Sequence, residues 1–227
     1  TQLGEKADGV YPLFWSADDQ ISVNGVASSA LSAEKAGEAK AVFTFNGQLA
    51  HPYNVVYPAA SANEVTFLAE QAYTPGTFCA GAAPMYGYAA EEGVVSMQHL
   101  TGILRLAIKG NGEKVTSIKI KAEKGKIAGT FLINCKTGTL TAHEEAVNTV
   151  TVTFDEPLVL GAEAQVVYVA VPAGDYGTFL VTVNTEAHEK MTLKFNSDAK
   201  PITAGNVRND FNKKFAAKKF GIPIKIP

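Results

Sequence analysis

Leu104-Arg105-Leu106-Ala107-Ile108-Lys109-Gly110-Asn111-Gly112-Glu113-Lys114-Val115-Thr116-Ser117-Ile118-Lys119-Ile120-Lys121 decides the fold class. In an extended chain successive side chains point to opposite faces. Leu104, Leu106 and Ile108 therefore share one face, and further on Ile118 and Ile120 share a face while Lys119 and Lys121 turn to water. Two half-buried strands separated by Gly110-Asn111-Gly112 have the pattern of a β-hairpin.

The alternation extends in both directions. Gln20-Ile21-Ser22-Val23 and Ala41-Val42-Phe43-Thr44-Phe45 carry it upstream, the second placing Phe43 and Phe45 on one face. Val150–Phe154, Val166–Val171, Phe179–Val183 and Met191–Phe195 carry it downstream. Turn residues punctuate these runs. Asn134-Cys135-Lys136-Thr137-Gly138 joins Thr130–Ile133 to Thr139-Leu140, and Pro172-Ala173-Gly174-Asp175 precedes another strand. Short strands at regular spacing with Gly or Asn between them predict a sandwich or barrel. Ser29 to Lys40 has almost only Ala as its apolar content and is expected to be a loop with one turn. Asn209 to Lys219 sets Phe211 and Phe215 at i and i+4, the spacing of a short amphipathic helix. The polar stretch Ala142–Asn148 marks a boundary. The expectation is an all-β chain with few or no helices, in two tandem β-sandwich domains, residues 1–142 and 143–227.

Composition narrows the function. The chain has 227 residues, enough for two small cores, with 46% hydrophobic and 19% charged residues and a formal net charge of -2. No nucleic acid and no anionic membrane is favoured as a partner by that balance. Lys213, Lys214, Lys218 and Lys219 form a solvated basic tail. No apolar run approaches the ~20 residues of a membrane span. The sequence begins at Thr1 without a Met, which fits a mature or trimmed form. Cys79 and Cys135 lack a CxxC partner and are expected to be two buried thiols, with a bridge as the alternative.

No catalytic constellation, cofactor site or metal site is expected. His51, His99, His143 and His188 are scattered, and no HExxH, GxSxG or phosphate-binding glycine loop occurs. Asp18-Asp19 has the character of a turn. Trp15 and Tyr57 are expected to anchor the first core. Tyr86-Gly87-Tyr88, with Gly and Pro on both sides, is the candidate exposed ligand loop through Tyr86 and Tyr88. At the other end, Phe220, Ile222, Ile224 and Ile226 alternate with Pro223, Lys225 and Pro227. That apolar face predicts an edge strand that docks back or is donated to a neighbour, since prolines suit an unpaired edge.

Several segments, in order, resemble the fimbrillin-like surface proteins of Bacteroidetes. These are Phe14-Trp15-Ser16-Ala17-Asp18-Asp19-Gln20-Ile21-Ser22-Val23, Phe43-Thr44-Phe45-Asn46-Gly47, Val55-Val56-Tyr57-Pro58-Ala59, and Gln71 before a Pro/Gly stretch. Met97–Leu106, Ile127–Phe131, Tyr168–Gly174 and Ile202–Val207 continue the series, which spans residues 14–212. The resemblance implies transthyretin-like sandwiches in a major, anchor or accessory fimbrial subunit. It also implies partners among other fimbrial subunits or copies of itself, a host glycan or protein as adhesion ligand, and outer-membrane attachment through a lipid anchor in the precursor. The family's processing Arg has no counterpart before Arg105, which fits either processing upstream of Thr1 or a non-polymerising anchor, tip or accessory relative. The alternative is a surface glycan- or host-protein-binding adhesin that does not polymerise.

Overall fold

A computed structural model describes residues 1–217 except Gly9, Ala62, Glu92 and Ser197; residues 218–227 lie outside it. The early strands are β1 (Gln2–Leu3), β2 (Leu13–Phe14), β3 (Ser22–Val23), β4 (Val26–Ala27), β5 (Tyr53–Tyr57) and β6 (Glu64–Phe67). Then come β7 (Glu70–Ala72), β8 (Met85–Ala89), β9 (Gln98–His99), β10 (Thr101–Lys109), β11 (Lys114–Ala122) and β12 (Gly129–Asn134). The last six are β13 (Thr139–Ala142), β14 (Thr149–Val159), β15 (Gln165–Pro172), β16 (Phe179–Thr185), β17 (Lys190–Phe195) and β18 (Val207–Lys214). A single 3₁₀ turn, Ala33–Lys35, falls in the stretch where one turn was expected. The chain is all-β, as its alternation predicts.

Two sandwiches hold sixteen of the described strands, and β1 and β2 pair with each other outside them. In the second, the sheet β15-β10-β18 faces the sheet β17-β16-β11-β14-β7. Leu104, Leu106, Ile108, Val167 and Val169 of one sheet meet Val115, Ile118, Ile120, Val150, Val181 and Val183 of the other in a continuous core. Burying such a side chain contributes about 1.5–3 kcal/mol, so this layer is the main stabilising mass of the protein. The first sandwich sets β4-β3-β5-β8-β9 against β13-β12-β6. Val56 and Tyr86 from one sheet pack on Val65, Phe67, Phe131 and Ile133 of the other.

Three expectations are corrected. The division at 142/143 does not coincide with a break in pairing: β10 and β11, before it, pair with β15 and β14, after it. The strands of residues 101–122 belong to the second sandwich, and the β12–β13 hairpin returns to pair with β6 of the first. Gly110-Asn111-Gly112 is not a hairpin turn. It arches from one sheet to the other, and its Gly110 and Gly112 amides donate to Gly161 and Leu160 at 2.8 Å each. The two apolar faces it connects look at each other across the core instead of lying side by side. Finally, Asn209–Lys214 is the body of β18, a strand, not a helix. Phe211 and Phe215 are both buried, because a separation of four residues keeps two side chains on one face of a strand as well as of a helix.

Candidate functional site

The outward face of the first sandwich carries an apolar groove of about 760 Å³. Period two builds its floor. Val56 points inward to the core, so Val55 points outward and lines the floor with Val23 and Met85, while Tyr57 on the same face is buried against Trp15 and does not line the groove. Trp15 closes one end, edge-on to Tyr57 at 5.2 Å and to Phe43 at 5.0 Å between ring centres. Tyr57 is held from below: its hydroxyl donates to Asp19 Oδ1 at 2.7 Å, and the Thr1 amino group donates to both Asp19 oxygens at 2.9 and 2.8 Å. Burial and the adjacent carboxylate push the Tyr57 phenol far above its ordinary range, so it stays a proton donor. Asp18-Asp19 forms the expected turn, with Asp18 at φ 67° and Asp19 accepting the Ser16 amide at 2.7 Å.

The walls distinguish this groove from an ordinary sheet face. Ala41-Val42-Phe43-Thr44-Phe45 has the expected in-out alternation, with Ala41, Phe43 and Phe45 half-buried and Val42 and Thr44 exposed. Yet it is in no sheet, and among the described residues its one backbone bond is Thr44 O accepting from Ser29. On the other side, Gly93–Met97 runs without ladder partners, with Val95 and Met97 half-buried and Val94 fully exposed. It crosses the sheet directly over Gly87, where a Cβ would overlap Val95 Cγ1 and lie 3.3 Å from the Ser96 carbonyl. Unladdered backbone beside an apolar floor is the chemistry that accepts an added strand.

The sequence-predicted residues are distributed differently. Tyr86 and Tyr88 do not form an exposed loop. Both lie on β8, on the face opposite the groove floor; Tyr86 is buried and donates to Gln98 Oε1 at 2.8 Å, and Tyr88 is half-buried. The Gly and Pro residues that signalled a loop belong to the turns flanking β8. Trp15 and Tyr57 are buried, but in a cluster with Leu31 and Met85 on the outward face of the first sheet, not in the core between the two sheets where they were expected. The tail residues Phe220, Ile222, Ile224 and Ile226 lie outside the described residues. Both cysteines are free: Cys135 is buried, and its thiol is pushed up to about 11 by desolvation, while Cys79 is half-buried. His99 stands between the groove and a second cavity, and burial lowers its imidazole below the usual range. Among the described residues no three His, Cys, Asp or Glu side chains gather to hold a metal ion. No helix there is long and apolar enough to cross a membrane. The groove itself was missed because its signal, an alternating run without a partner strand, is local in sequence only for the run.

The fold defines a class: all-β proteins of β-sandwich build. No family model matches the chain, and no curated protein does. Among solved structures it is similar to a candidate cell adhesion protein from Bacteroides uniformis, with a TM-score of 0.54, 16% identity and 86% of each chain covered. A second, from Bacteroides ovatus, gives a TM-score of 0.51 and 14% identity over 86% of this chain and 82% of that one. At these identities the likeness is one of fold.

Proposed function

We propose that the protein is a non-catalytic cell-surface subunit, of fimbrial type, that assembles by strand addition and serves adhesion. In this reading the groove receives the segment Phe220–Ile226 of a second copy. The observation that carries it is the pair of unladdered walls, 41–45 and 93–97, whose apolar side chains turn in over an apolar floor. The donor pattern is complementary: four large apolar residues at period two, with Pro223 among them and Pro227 after them asking for few ladder bonds.

Chain direction favours a neighbour as recipient. β10 leaves the first sandwich at Thr101, and β18 runs parallel to it, from Val207 beside Ile103 to Lys214 beside Lys109. The Phe215 amide still donates to Lys109 O at 2.8 Å. The described chain therefore ends at the pole of the second sandwich farthest from its own groove. Retracing the nine residues of β10 takes roughly 30 Å. A tail turning back toward its own groove spends that length along β10 first. The fold likeness to candidate cell adhesion proteins agrees with a surface location.

The test deletes residues 219–227 and supplies them as a synthetic peptide. The full chain is expected to form concentration-dependent, SDS-resistant oligomers. The truncated chain is expected to be monomeric and to bind the peptide, with a raised melting temperature. Unchanged oligomer size and melting temperature on truncation, with no peptide binding, would sink the reading.

A further inference from the structure

The sequence contains three Asn-Gly pairs, Asn24-Gly25, Asn46-Gly47 and Asn111-Gly112. At such a pair the glycine nitrogen can attack Cγ of the asparagine, because glycine has no Cβ to hinder the ring that forms. The reaction needs a side-chain amide free to turn, a glycine nitrogen not held by an acceptor, and space around the glycine. The fold grants these freedoms unequally. Asn24 opens the tight turn between β3 and β4, with Asn24 at φ 50° and Gly25 at φ 83°. Its side chain is tied at both ends. Nδ2 donates to the Ala50 and Pro52 carbonyls at 2.7 and 3.0 Å, and Oδ1 accepts from the Asn54 backbone and side-chain amides at 3.0 and 3.1 Å. At Asn111 the attacking nitrogen is the tied group. The Gly112 amide donates to Leu160 O at 2.8 Å. The Glu113 carboxylate, which accepts from the Asn111 amide, opposes negative charge on the nitrogen nearby. Asn46 and Gly47 are both exposed, and among the described residues neither the Asn46 side chain nor the Gly47 amide makes a hydrogen bond. A Cβ at Gly47 would meet nothing within 4 Å, so the ring has room.

We propose that Asn46 is a site of spontaneous modification that ages the wall of the groove. The Gly47 nitrogen loses its proton to solvent base and bonds to Asn46 Cγ, the Cγ–Nδ2 bond breaks, and ammonia leaves. Water then opens the succinimide at one of its two carbonyls. One opening leaves aspartate. The other leaves isoaspartate, with the side-chain carbon now part of the main chain. Water is the only co-reactant. Phe45 and Leu49, on either side of the site, both line the groove. Among the described residues the wall has one backbone tie, from Ser29 to Thr44 O, so little holds it against a change in its own length. Either product puts a carboxylate beside an apolar wall, and isoaspartate adds an atom to the main chain between Phe45 and Leu49. A donated strand then meets an altered wall, a consequence that rests on the strand-addition reading.

Holding the native full chain at pH 8.5 and 37 °C, then mapping its peptides by mass spectrometry, tests the site. Asn46 is expected to convert about tenfold or more faster than Asn24 and Asn111, since each of those must first give up formed hydrogen bonds. In guanidinium chloride the three rates are expected to converge, because the fold and not the dipeptide sets the difference. Asn46→Gln is expected to abolish the fast conversion, its longer side chain closing a less favourable ring. Equal rates in the native chain, Asn24 or Asn111 leading, or an Asn46 lead that persists in denaturant would each overturn the proposal. The truncated chain, aged until Asn46 has converted, is expected to bind the 219–227 peptide about tenfold more weakly than the fresh chain. Truncated Asn46→Gln is expected to bind equally before and after the same ageing. Equal affinity of the aged and fresh parent chains would overturn the effect on the groove. A fresh chain that fails to bind the peptide at all would overturn strand addition instead and leave the Asn46 site to the mass measurement.

Discussion

The side-chain amide of Gln71 pairs with the backbone of Ala170 in both directions. Nε2 donates to the Ala170 carbonyl at 2.8 Å, and the Ala170 amide donates to Oε1 at 3.0 Å. Gln71 is on β7, an edge of the five-stranded sheet, and Ala170 is on β15, an edge of the facing sheet. One side chain thus takes the place of a strand and ties the two sheets where they would otherwise part. At 1% exposure no water replaces it. Gln71→Leu leaves both Ala170 groups buried and unpaired, at about 1–3 kcal/mol each. Urea denaturation is expected to show a loss of about 2–4 kcal/mol, with Gln71→Glu no better, because a carboxylate cannot donate to the Ala170 carbonyl. A loss below about 0.5 kcal/mol would show that the pair contributes little beyond packing.

The strands of the second sandwich were legible because each one signals its own buried face. Leu104, Leu106 and Ile108 alternate whatever they pair with. What they pair with is not local. Gly110-Asn111-Gly112 suits a hairpin and a sheet-to-sheet arch equally, and the choice rests on Val167 and Val150, more than thirty residues away in the chain. The same holds for residues 129–142, whose membership in the first sandwich depends on β6 at Glu64–Phe67. Phe211 and Phe215 fit two periods at once. In the groove, Phe43 and Phe45 were readable as an alternating pair, but the lack of a partner strand was not. Tyr86 misled because Gly81, Pro84 and Gly93 mark the turns on either side of β8 and not a loop through it, while Gly87 inside it lets another segment pass.

That passage gives a prediction. Gly87 lies in ordinary strand backbone, so alanine is no conformational burden. The cost is steric: the new Cβ overlaps Val95 Cγ1 and crowds Met97 Sδ at 3.1 Å. Gly87→Ala is expected to lift 95–97 off the sheet and cost about 1–3 kcal/mol. Limited proteolysis is expected to cut faster within residues 93–97 while β10 and β11 stay uncut. An unchanged cutting rate at 93–97 in the variant would mean that the wall simply shifts and repacks.

Alkaline stability follows from buried acids. Desolvation raises the Cys135 thiol from 9.0 to about 11, and the Tyr176 phenol from 10.0 to about 12. The unfolded chain releases these protons first, so the stabilisation is whole below about pH 9 and is lost as pH rises toward 11 and 12. The urea midpoint is expected to hold from pH 7 to 8.5 and fall above pH 9. Cys135→Ala is expected to delay the onset of that fall toward the tyrosine range. In the native protein at pH 8, a disulfide reagent is expected to modify Cys79 quickly and Cys135 only on unfolding, because the thiolate is the reactive species.

Trp15 is the sole tryptophan of the chain and lines the groove, edge-on to Phe43 at 5.0 Å. Its emission therefore reports on that site alone. Trp15 is only 8% exposed, so an entering strand changes the packing of Phe43 on the indole rather than its hydration. Adding the 219–227 peptide to the truncated chain is then expected to change the emission intensity and saturate with occupancy. Phe43→Ser removes one aromatic partner and part of a wall. It is expected to shift the free protein to the red and weaken the peptide about tenfold, as the loss of a well-packed aromatic contact does at binding hot spots. Leu180→Ser, at an exposed residue of β16 in the other sandwich, is the control and is expected to change neither signal. A peptide that binds without moving the Trp15 emission would place its docking surface elsewhere, and strand addition into this groove would have to be given up.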